Sequence, residues 1–547
     1  MHDLLIRGAS LIDGTGAPAK TADLAVTDGR IAAIGSITGA AKRTVDADGL
    51  ALAPGIIDIH THYDAQVTWD PTLSPSPALG VTTAVLGNCG FGIAPCPASQ
   101  RQTVVRNLSV VEGMDLDALL KGTRWDFETF PEYMAMLRRA QPYANVAVLA
   151  QHSTIRSAVM GEAASTRAEA TAEELAQMRA QVRTAMDAGA IGFASSFSPN
   201  HGGWAGRPMP STIAPESELR ALAGTLGDLG RGIFVMATGS RASPEVMESI
   251  AADTGRPAFM VTVLTMHNAA DPGKAITYYE RCAEARARGH EVYIHTTCQP
   301  LSFDFTLGDP YLLLSHDAFN RVTAADKSEW TKIYRDPAFR ARFRENLKNP
   351  KPGILFYGDW SKMELEGVPL TEIALREQRD PLDVFFDLPL DQSLVAKLFQ
   401  NDDAAVAPLL KHEQGVVALS DAGAHLIYFC DAGFGLHFLQ HWVRELGTFT
   451  LEEGVRRLTG DPAAKYRIPG RGRLAEGMAA DLLLFDPAKV GISKLERVRD
   501  LPGGGSRMIR HAEGVAGTWV NGVQVFDGKA MLSLEAGPGQ VLDRFDA

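Results

Sequence analysis

The sequence predicts an α/β protein: a (β/α)8 TIM-like barrel with an inserted lid, beside a small β-sandwich domain formed from both chain termini. Three observations predict it. Over residues 54–467, eight apolar strand-like segments alternate with helical patterns, the order that builds a parallel sheet. At both ends the chain reads instead as short strands separated by turn signals. Finally, the apolar run Pro54-Gly55-Ile56-Ile57-Asp58-Ile59 closes on His60-Thr61-His62. Side chains at i and i+2 share one face of a strand, and in a parallel barrel that face points inward, at the end where active sites are built.

With 547 residues, 45% of them hydrophobic, the chain is long enough for one large catalytic domain and a smaller one. Residues 1–53 carry Leu4-Leu5-Ile6, Leu24-Ala25-Val26 and Ile31-Ala32-Ala33-Ile34 between the turn signals Gly14-Thr15-Gly16, Asp28-Gly29 and Asp48-Gly49. The same style returns over 468–547 with Leu482–Phe485, Gly517–Val520, Asn521-Gly522 and Asp527-Gly528. Neither end is long enough to enclose a core alone, so the two are expected to pair.

In the middle, Thr171-x-x-Glu174 reads as a capping box before Leu175, Met178, Val182 and Met186, with Gly189 as the stop and a strand from Ile191. Asp271-Pro272 is expected to open another helix running to Gly289, ahead of the strand Val292–His295. The eight barrel strands are expected at 56–61, 82–89, 145–151, 190–196, 233–238, 259–266, 291–297 and 416–421. Between the last two lies an excursion over 299–415, rich in aromatics such as Phe303, Tyr311, Phe319, Trp330 and Phe386. Inserted at the C-terminal face, it predicts a lid.

The formal net charge of −12 offers no basic footprint, which argues against nucleic acid and for a small-molecule substrate. Five scattered cysteines, Cys89, Cys96, Cys282, Cys298 and Cys430, form no Cys-x-x-Cys motif, as expected in a reducing compartment. The first residues lack a basic segment followed by a long apolar core, and no apolar run reaches ~18 residues. A cytoplasmic protein with no membrane partner is expected; homo-oligomerisation stays open.

A metal hydrolase needs neutral or anionic ligands converging from several strands with a position left for water. Six residues stand at expected strand ends: His60 and His62, Cys89, His267, His295 and Asp421. Cys89 also has the ordinary alternative of a small buried hydrophobe, although Gly90 beside it would let the backbone approach closely. Met266-His267-Asn268 and the lone His295 could equally be strand histidines that are merely hydrogen-bonded. His152, His201 and His425 fall at strand ends or the loops beyond them, where substrate is met, or where a histidine supports a loop. Cys298 is read as a bystander.

The segment from Leu52 to Asp64, with its Pro54-Gly55-Ile56-Ile57-Asp58-Ile59-His60-Thr61-His62 core, resembles the first-strand signature of the amidohydrolase superfamily. Followed by Gly87-Asn88-Cys89-Gly90, it is similar to the N-acyl-D-amino-acid deacylase branch. Ser420-Asp421-Ala422-Gly423-Ala424-His425 and the stretch Arg471–Asp481 extend the resemblance over nearly the whole chain. It implies a zinc enzyme with one or two ions per chain. Cys89, His267 and His295 would hold the tighter ion, and His60, His62 and Asp421 the weaker, with Asp421 also the general base. Three departures accompany it. The family places its later histidines on the fifth and sixth strands, whereas His267 and His295 fall on the sixth and seventh. The residues around His267 differ from a Ser-His-His-Lys type of segment. No arginine follows the last strand between Asp421 and Asp431, where one would meet a substrate carboxylate.

The expected function is therefore zinc-dependent hydrolysis of a non-peptide C–N amide bond in an N-acyl compound, with water activated by the metal. The alternatives are hydrolysis of a cyclic amide, urea or lactone, and a non-catalytic scaffold of the same fold.

Overall fold

Eight parallel strands follow one another around a single sheet in chain order: Ile56–Asp58, Val81–Leu86, Asn145–Gln151, Gly192–Ser196, Ile233–Ala237, Ala258–Val261, Val292–Thr296 and Gly415–Val417. This is the barrel of the computed structural model, which describes residues 1–350 and 354–545. Three positions of the 299–415 excursion and the last two of 468–547 thus lie outside the described residues. The two edges of the sheet meet through a parallel bridge between Thr61 and Ala422, where the His62 amide donates to the Ala422 carbonyl at 2.7 Å. Strands buried on both faces read as continuous apolar runs, and Asn145–Gln151 and Val81–Leu86 are buried at every position.

All eight strands occur where expected, but four stop at least three residues short, the second strand at Leu86, ahead of Cys89. The first ends at Asp58, the eighth at Val417 and the sixth at Val261. After Val261 the Thr262 hydroxyl accepts from the Leu264 amide at 3.2 Å and the chain turns through a short 3-10 helix, Val263–Thr265. Local side-chain bonding of this kind competes with a ladder. His267 consequently lies beyond the strand mouth rather than on it.

The Thr171 capping box forms with Glu174 and starts the helix Ala172–Asp187. The later helix starts two residues after the expected proline, at Lys274, and runs to Ala287. Asp271, Pro272 and Gly273 make a turn in which the Lys274 amide donates to the Asp271 carbonyl, and Gly273 takes the capping position.

Both chain ends enter one mixed sheet. Its strand order is Val523–Phe526, Val515–Val520, Leu482–Phe485, Ala51–Pro54, His2–Leu11, Lys20–Thr27 and Arg30–Gly35, with Ala41–Asp46 paired along the start of His2–Leu11. It encloses its own apolar core, including Leu4, Ile6, Leu24, Val26, Leu482, Leu484 and Trp519. Ala51–Pro54 passes into the first barrel strand through Gly55, where a Cβ would stand 2.1 Å from the Thr82 side chain. Buried Asp481 ties sheet to barrel: it pairs with Arg471, and it accepts from Asn145 Nδ2 at 3.1 Å and from the Asn521 amide at 2.8 Å.

The 299–415 excursion packs a further core of Phe319, Phe339, Phe343, Phe385, Phe386 and neighbours. Its antiparallel sheet runs Leu301–Phe305, Leu394–Phe399, Met363–Leu365, Val368–Pro369. Most of its aromatics pack each other. Phe303 and Tyr311 instead reach the barrel mouth, together with Leu301 and Leu355. Among the described residues no helix is long and apolar enough to cross a membrane.

Candidate metal centre and active site

At the barrel mouth the first strand turns outward and presents His60 and His62, buried to 1% and 5% exposure. The His60 amide donates to Asp58 Oδ1 at 3.2 Å, while Ser420 Oγ donates to Asp58 Oδ2 at 2.6 Å. Asp58 thereby stitches the last strand to the first and sets the height at which both the His60 ring and Asp421 emerge. Burial pushes the Asp58 carboxyl up to about 7.

The Gly87-Asn88-Cys89-Gly90 turn sits against this end. Asn88 Nδ2 donates to the carbonyls of Val85 at 2.8 Å and Thr61 at 3.3 Å, fixing the second strand's turn on the first. Cys89 takes a left-handed backbone, φ 56°, an uncommon conformation for a side-chain-bearing residue. Gly90 is needed beside it: a Cβ there would lie 2.7 Å from the Ala194 carbonyl oxygen and 2.8 Å from Ser195 Cα. The turn aims Cys89 Sγ at His60 Nε2, 3.7 Å away.

Ligand atoms of His60, His62 and Cys89 all lie within 4.8 Å of one another. Asp421 Oδ1 stands 3.1 Å from His60 Nε2 and 3.4 Å from His62 Nε2. Behind the rings, His62 Nδ1 faces Glu112 Oε1 at 3.2 Å. His60 Nδ1 faces His295 Nδ1 at 3.0 Å, and His295 Nε2 meets the Tyr466 hydroxyl at 2.7 Å.

Burial works against protonating His60 and His62. For His60 the charge of Cys89 and the contact with Asp421 outweigh it and raise the imidazole to about 9. For His62, Glu112 and Asp421 raise it well above its usual value. Asp421 is pulled the other way: desolvation would raise its carboxyl, but its hydrogen bonds to His60 and His62 hold it well below the usual carboxylate range. Burial raises Glu112 to about 7, against the opposing pull of His62. A thiol, two carboxyls and two imidazoles buried together form a site that favours a cation.

These groups open on a small chamber of about 100 Å³, walled by Val261, Met266, Leu301, Phe303, Leu355 and Phe429. Beyond it lies a wider one of about 1150 Å³ that carries Arg207, Arg241, Asp309 and Lys327. Ser198, His201 and Tyr311 line both. Arg241 lies over the Phe197 ring, 4.1 Å from its centroid, and donates to the Thr212 and Ala214 carbonyls.

The structure thus brings together His60, His62, Cys89 and Asp421. It does not bring His267 to them. His267 is held through its backbone to Gln400, whose Oε1 accepts from the His267 amide at 2.7 Å; its ring is neither in the donor group nor among the chamber residues. His295 reaches the site, but behind His60 rather than among the donors, because its Nε2 is taken by Tyr466. Of the three substrate-facing expectations, His201 and His425 line the inner chamber. Burial depresses them to about 3 and about 4. His152 is sealed away from it, bonded to Ser195 Oγ at 2.7 Å and Glu218 Oε1 at 2.9 Å. Its strand-end position is right, but the ring points between the barrel and its helices. Cys298 is buried, near the Phe434 carbonyl.

Sequence reading missed Glu112 and Tyr466, and named Tyr311 only as one aromatic of the expected lid. Glu112 follows the helix Arg101–Val111 within the apolar run Val110-Val111-Glu112-Gly113-Met114. An acid flanked by apolar residues was its only local signal.

The model of the amidohydrolase family matches residues 43–345 and 391–526. A D-aminoacylase of Alcaligenes xylosoxydans xylosoxydans is 31% identical, with 98% of this chain and 96% of the relative covered. An N-acyl-D-aspartate deacylase of the same organism is 30% identical, over 100% of this chain and 96% of the relative. Among solved structures, the N-acyl-D-glutamate deacylase of Bordetella bronchiseptica superposes with a TM-score of 0.68 at 26% identity, covering 99% of this chain and 100% of the other. That structure holds zinc and a phosphonate inhibitor that mimics the tetrahedral intermediate. The chain belongs to the amidohydrolase family.

Proposed function

We propose that this amidohydrolase is a metal-dependent deacylase that hydrolyses the C–N amide bond of an N-acyl compound. The observation that carries the reading is the convergence of His60, His62, Cys89 and Asp421 at one barrel mouth, in a chain similar over its full length to N-acyl-D-amino-acid deacylases. Two imidazoles and a thiolate are a borderline-soft donor set that suits zinc, so the residues fit the cofactor. Bound there, zinc would supply Lewis-acid polarisation of the carbonyl and lower the pKa of water.

The chain's own residues do the rest. Asp421, its carboxyl held ionised, accepts the proton of the attacking water and passes it to the departing amine. All four cluster residues line the chamber, and the Asp421 side chain, 17% exposed against 1% for His60 and 5% for His62, is more open to it than either imidazole. The apolar wall formed by Phe303, Phe429 and Met266 excludes bulk water, which strengthens every electrostatic contact inside. His201 and His425, kept neutral by burial, can donate or accept a hydrogen bond to the amide without adding charge.

The inner chamber, at about 100 Å³, has room for the scissile group and its nearest atoms. The remainder of a substrate extends into the outer chamber, whose volume exceeds that of a typical ligand site. Among the described residues the cations Arg207, Arg241 and Lys327 line only this outer space. A substrate carboxylate accordingly meets Arg241 at a distance from the reacting bond.

The test is amine release, with zinc supplied, from N-acyl D- and L-amino acids and from N-acyl amines lacking a carboxylate. Turnover of N-acyl D-amino acids supports the deacylase reading, and its loss in Arg241→Met would place the carboxylate in the outer chamber. No hydrolysis of any N-acyl compound, with cyclic amides or lactones cleaved instead, would overturn it.

A further inference from the structure

We propose that Ser196 and His201 act as a pair on the scissile amide: Ser196 fixes the His201 ring so that its Nε2–H donates to the carbonyl oxygen as that oxygen gains charge. The proposal rests on the deacylase reading above and adds to it a catalytic residue, His201, and a positioning residue, Ser196.

A tight turn delivers His201 to the chamber. Ser196 ends the fourth barrel strand, Gly192–Ser196, and is fully buried. Its Oγ accepts from the Ser198 amide at 3.1 Å, and the His201 amide donates to the Ser198 carbonyl at 3.2 Å. These two bonds fold the backbone back over the strand end. Beyond His201 the loop is tied down as well, since the Trp204 amide donates at 3.0 Å to Oδ1 of Asn107, on the helix Arg101–Val111. The His201 ring stands edge-on to buried Phe91, with ring centroids 4.9 Å apart and planes at 72°. Position and plane are thus set before any substrate arrives, as a donor to developing charge requires.

The Ser196 hydroxyl decides the tautomer. Its oxygen lies 2.6 Å from His201 Nδ1. Were the imidazole proton on Nδ1, the hydroxyl would accept from both Nδ1 and the Ser198 amide, and its own buried hydrogen would meet no acceptor in either bond. With the proton on Nε2, the hydroxyl accepts one bond and donates the other, and every group is satisfied. Burial holds the His201 imidazole down to about 3, so the ring carries a single proton. Among the described residues nothing bonds Nε2. Its N–H is left for the chamber that the ring lines together with Asp421.

His425 shares the chamber without the restraint, because its Nδ1 is buried with no partner to fix a tautomer. A neutral imidazole N–H polarises a carbonyl without adding charge to the site. As water adds to the carbonyl carbon, the C=O π pair moves onto oxygen. That oxygen accepts the bond from Nε2–H, and the proton stays on nitrogen. A carbonyl oxygen has two lone pairs, so this donor works alongside Lewis-acid polarisation. Asp421 takes the proton of the water, so charge and proton fall to different residues.

The experiment reads the tautomer directly, from long-range proton–nitrogen correlations of the imidazoles in zinc-loaded full-length protein carrying isotope-labelled histidine. The His201 signals are those lost in His201→Gln. We expect Nε2–H in the parent protein and Nδ1–H or an exchanging mixture in Ser196→Ala. The parent spectrum alone decides the tautomer should Ser196→Ala fail to fold. With N-acyl substrates, the about tenfold loss in His201→Ala should fall on kcat with KM nearly unchanged. Affinity for a phosphonate analogue of the same substrate should drop by the same factor. His201→Gln, whose amide nitrogen stands near the place of Nε2, should recover part of both, and Ser196→Ala should lose about threefold in kcat. An Nδ1–H tautomer in the parent protein, a loss in His201→Ala confined to KM, or unaltered phosphonate affinity would overturn the proposal. Absence of hydrolysis from every N-acyl compound would instead overturn the deacylase reading, and the tautomer, measured without substrate, separates the two failures.

Discussion

Among the described residues two buried histidine–carboxylate clusters stand out, and of the two only the one at the barrel mouth lines the inner chamber. In the sealed cluster, His152 bonds Ser195 and Glu218, Glu218 pairs with Arg156, and Arg156 also donates to the carbonyls of Ala164, Arg167 and Ala168. Both imidazole nitrogens are occupied, and His152 lines neither chamber. At the barrel mouth, His60 and His62 each spend Nδ1 on a partner behind and leave Nε2 directed at Cys89 and Asp421, beside open space. The two clusters share residue types, burial and strand-end placement. What separates them is whether the network closes on itself, so a buried histidine signals chemistry only when its second nitrogen is left for something outside the protein.

Asp421→Asn tests this contrast most severely. Removing the proton acceptor should lower kcat about 10³-fold while the ion is retained, as measured by turnover and metal content on one sample. Near-normal turnover would deny the open cluster its catalytic role.

In the sealed cluster the loss should appear as stability. Glu218→Ala leaves Arg156, 0% exposed, without its partner, which costs about 3–5 kcal/mol of folding free energy. Denaturant unfolding should register that loss, with kcat per folded molecule unchanged. A selective fall in kcat would mean the cluster is not merely structural.

His201→Ala and His425→Ala should each lower kcat/KM about tenfold, the worth of one hydrogen bond to a buried amide, with Tm preserved. His152→Gln should do the reverse.

The smallest effect concerns pH. Burial lowers the His152 pKa below 6.5, and its contact with Glu218 only partly opposes this. Because the folded value lies below the unfolded one, the stability it confers is present above about pH 6.5 and is lost as pH falls through the folded value. His152→Gln should flatten that part of the acid-unfolding curve, and an unchanged curve would argue that the ring is charged in the folded state.

Much of the fold was legible because it rests on local period and punctuation. The Thr171 capping box, the apolar run into His60 and the turn-rich ends all express short-range rules, and each appears where the sequence placed it. Errors arose where a local side chain displaced the expected element. The Thr262 hydroxyl captured the Leu264 amide, halted the sixth strand and carried His267 away. Asp271-Pro272 carried a helix-start signal, yet Gly273 took the cap.

For the site, residue type and strand position were enough to select His60, His62, Cys89 and Asp421, since strand ends in a parallel barrel must converge. They could not separate His152 from His201, because which way a strand-end ring turns depends on the partners it meets. Those partners, Ser195 and Glu218 for one and Ser196 and Phe91 for the other, come largely from other segments of the chain. Tyr466 was invisible for the same reason, since it acts on His295 through a contact spanning 171 positions of sequence. Glu112 likewise meets His62 from a different element.

The barrel, the paired terminal strands and the four residues that meet at the barrel mouth were written in the chain itself, because period, turn chemistry and strand ends are local. That His295 stands behind His60, that His267 stands apart and that Glu112 backs His62 emerged on folding alone. Those outcomes depend on distances between segments remote in the chain, which no local pattern encodes.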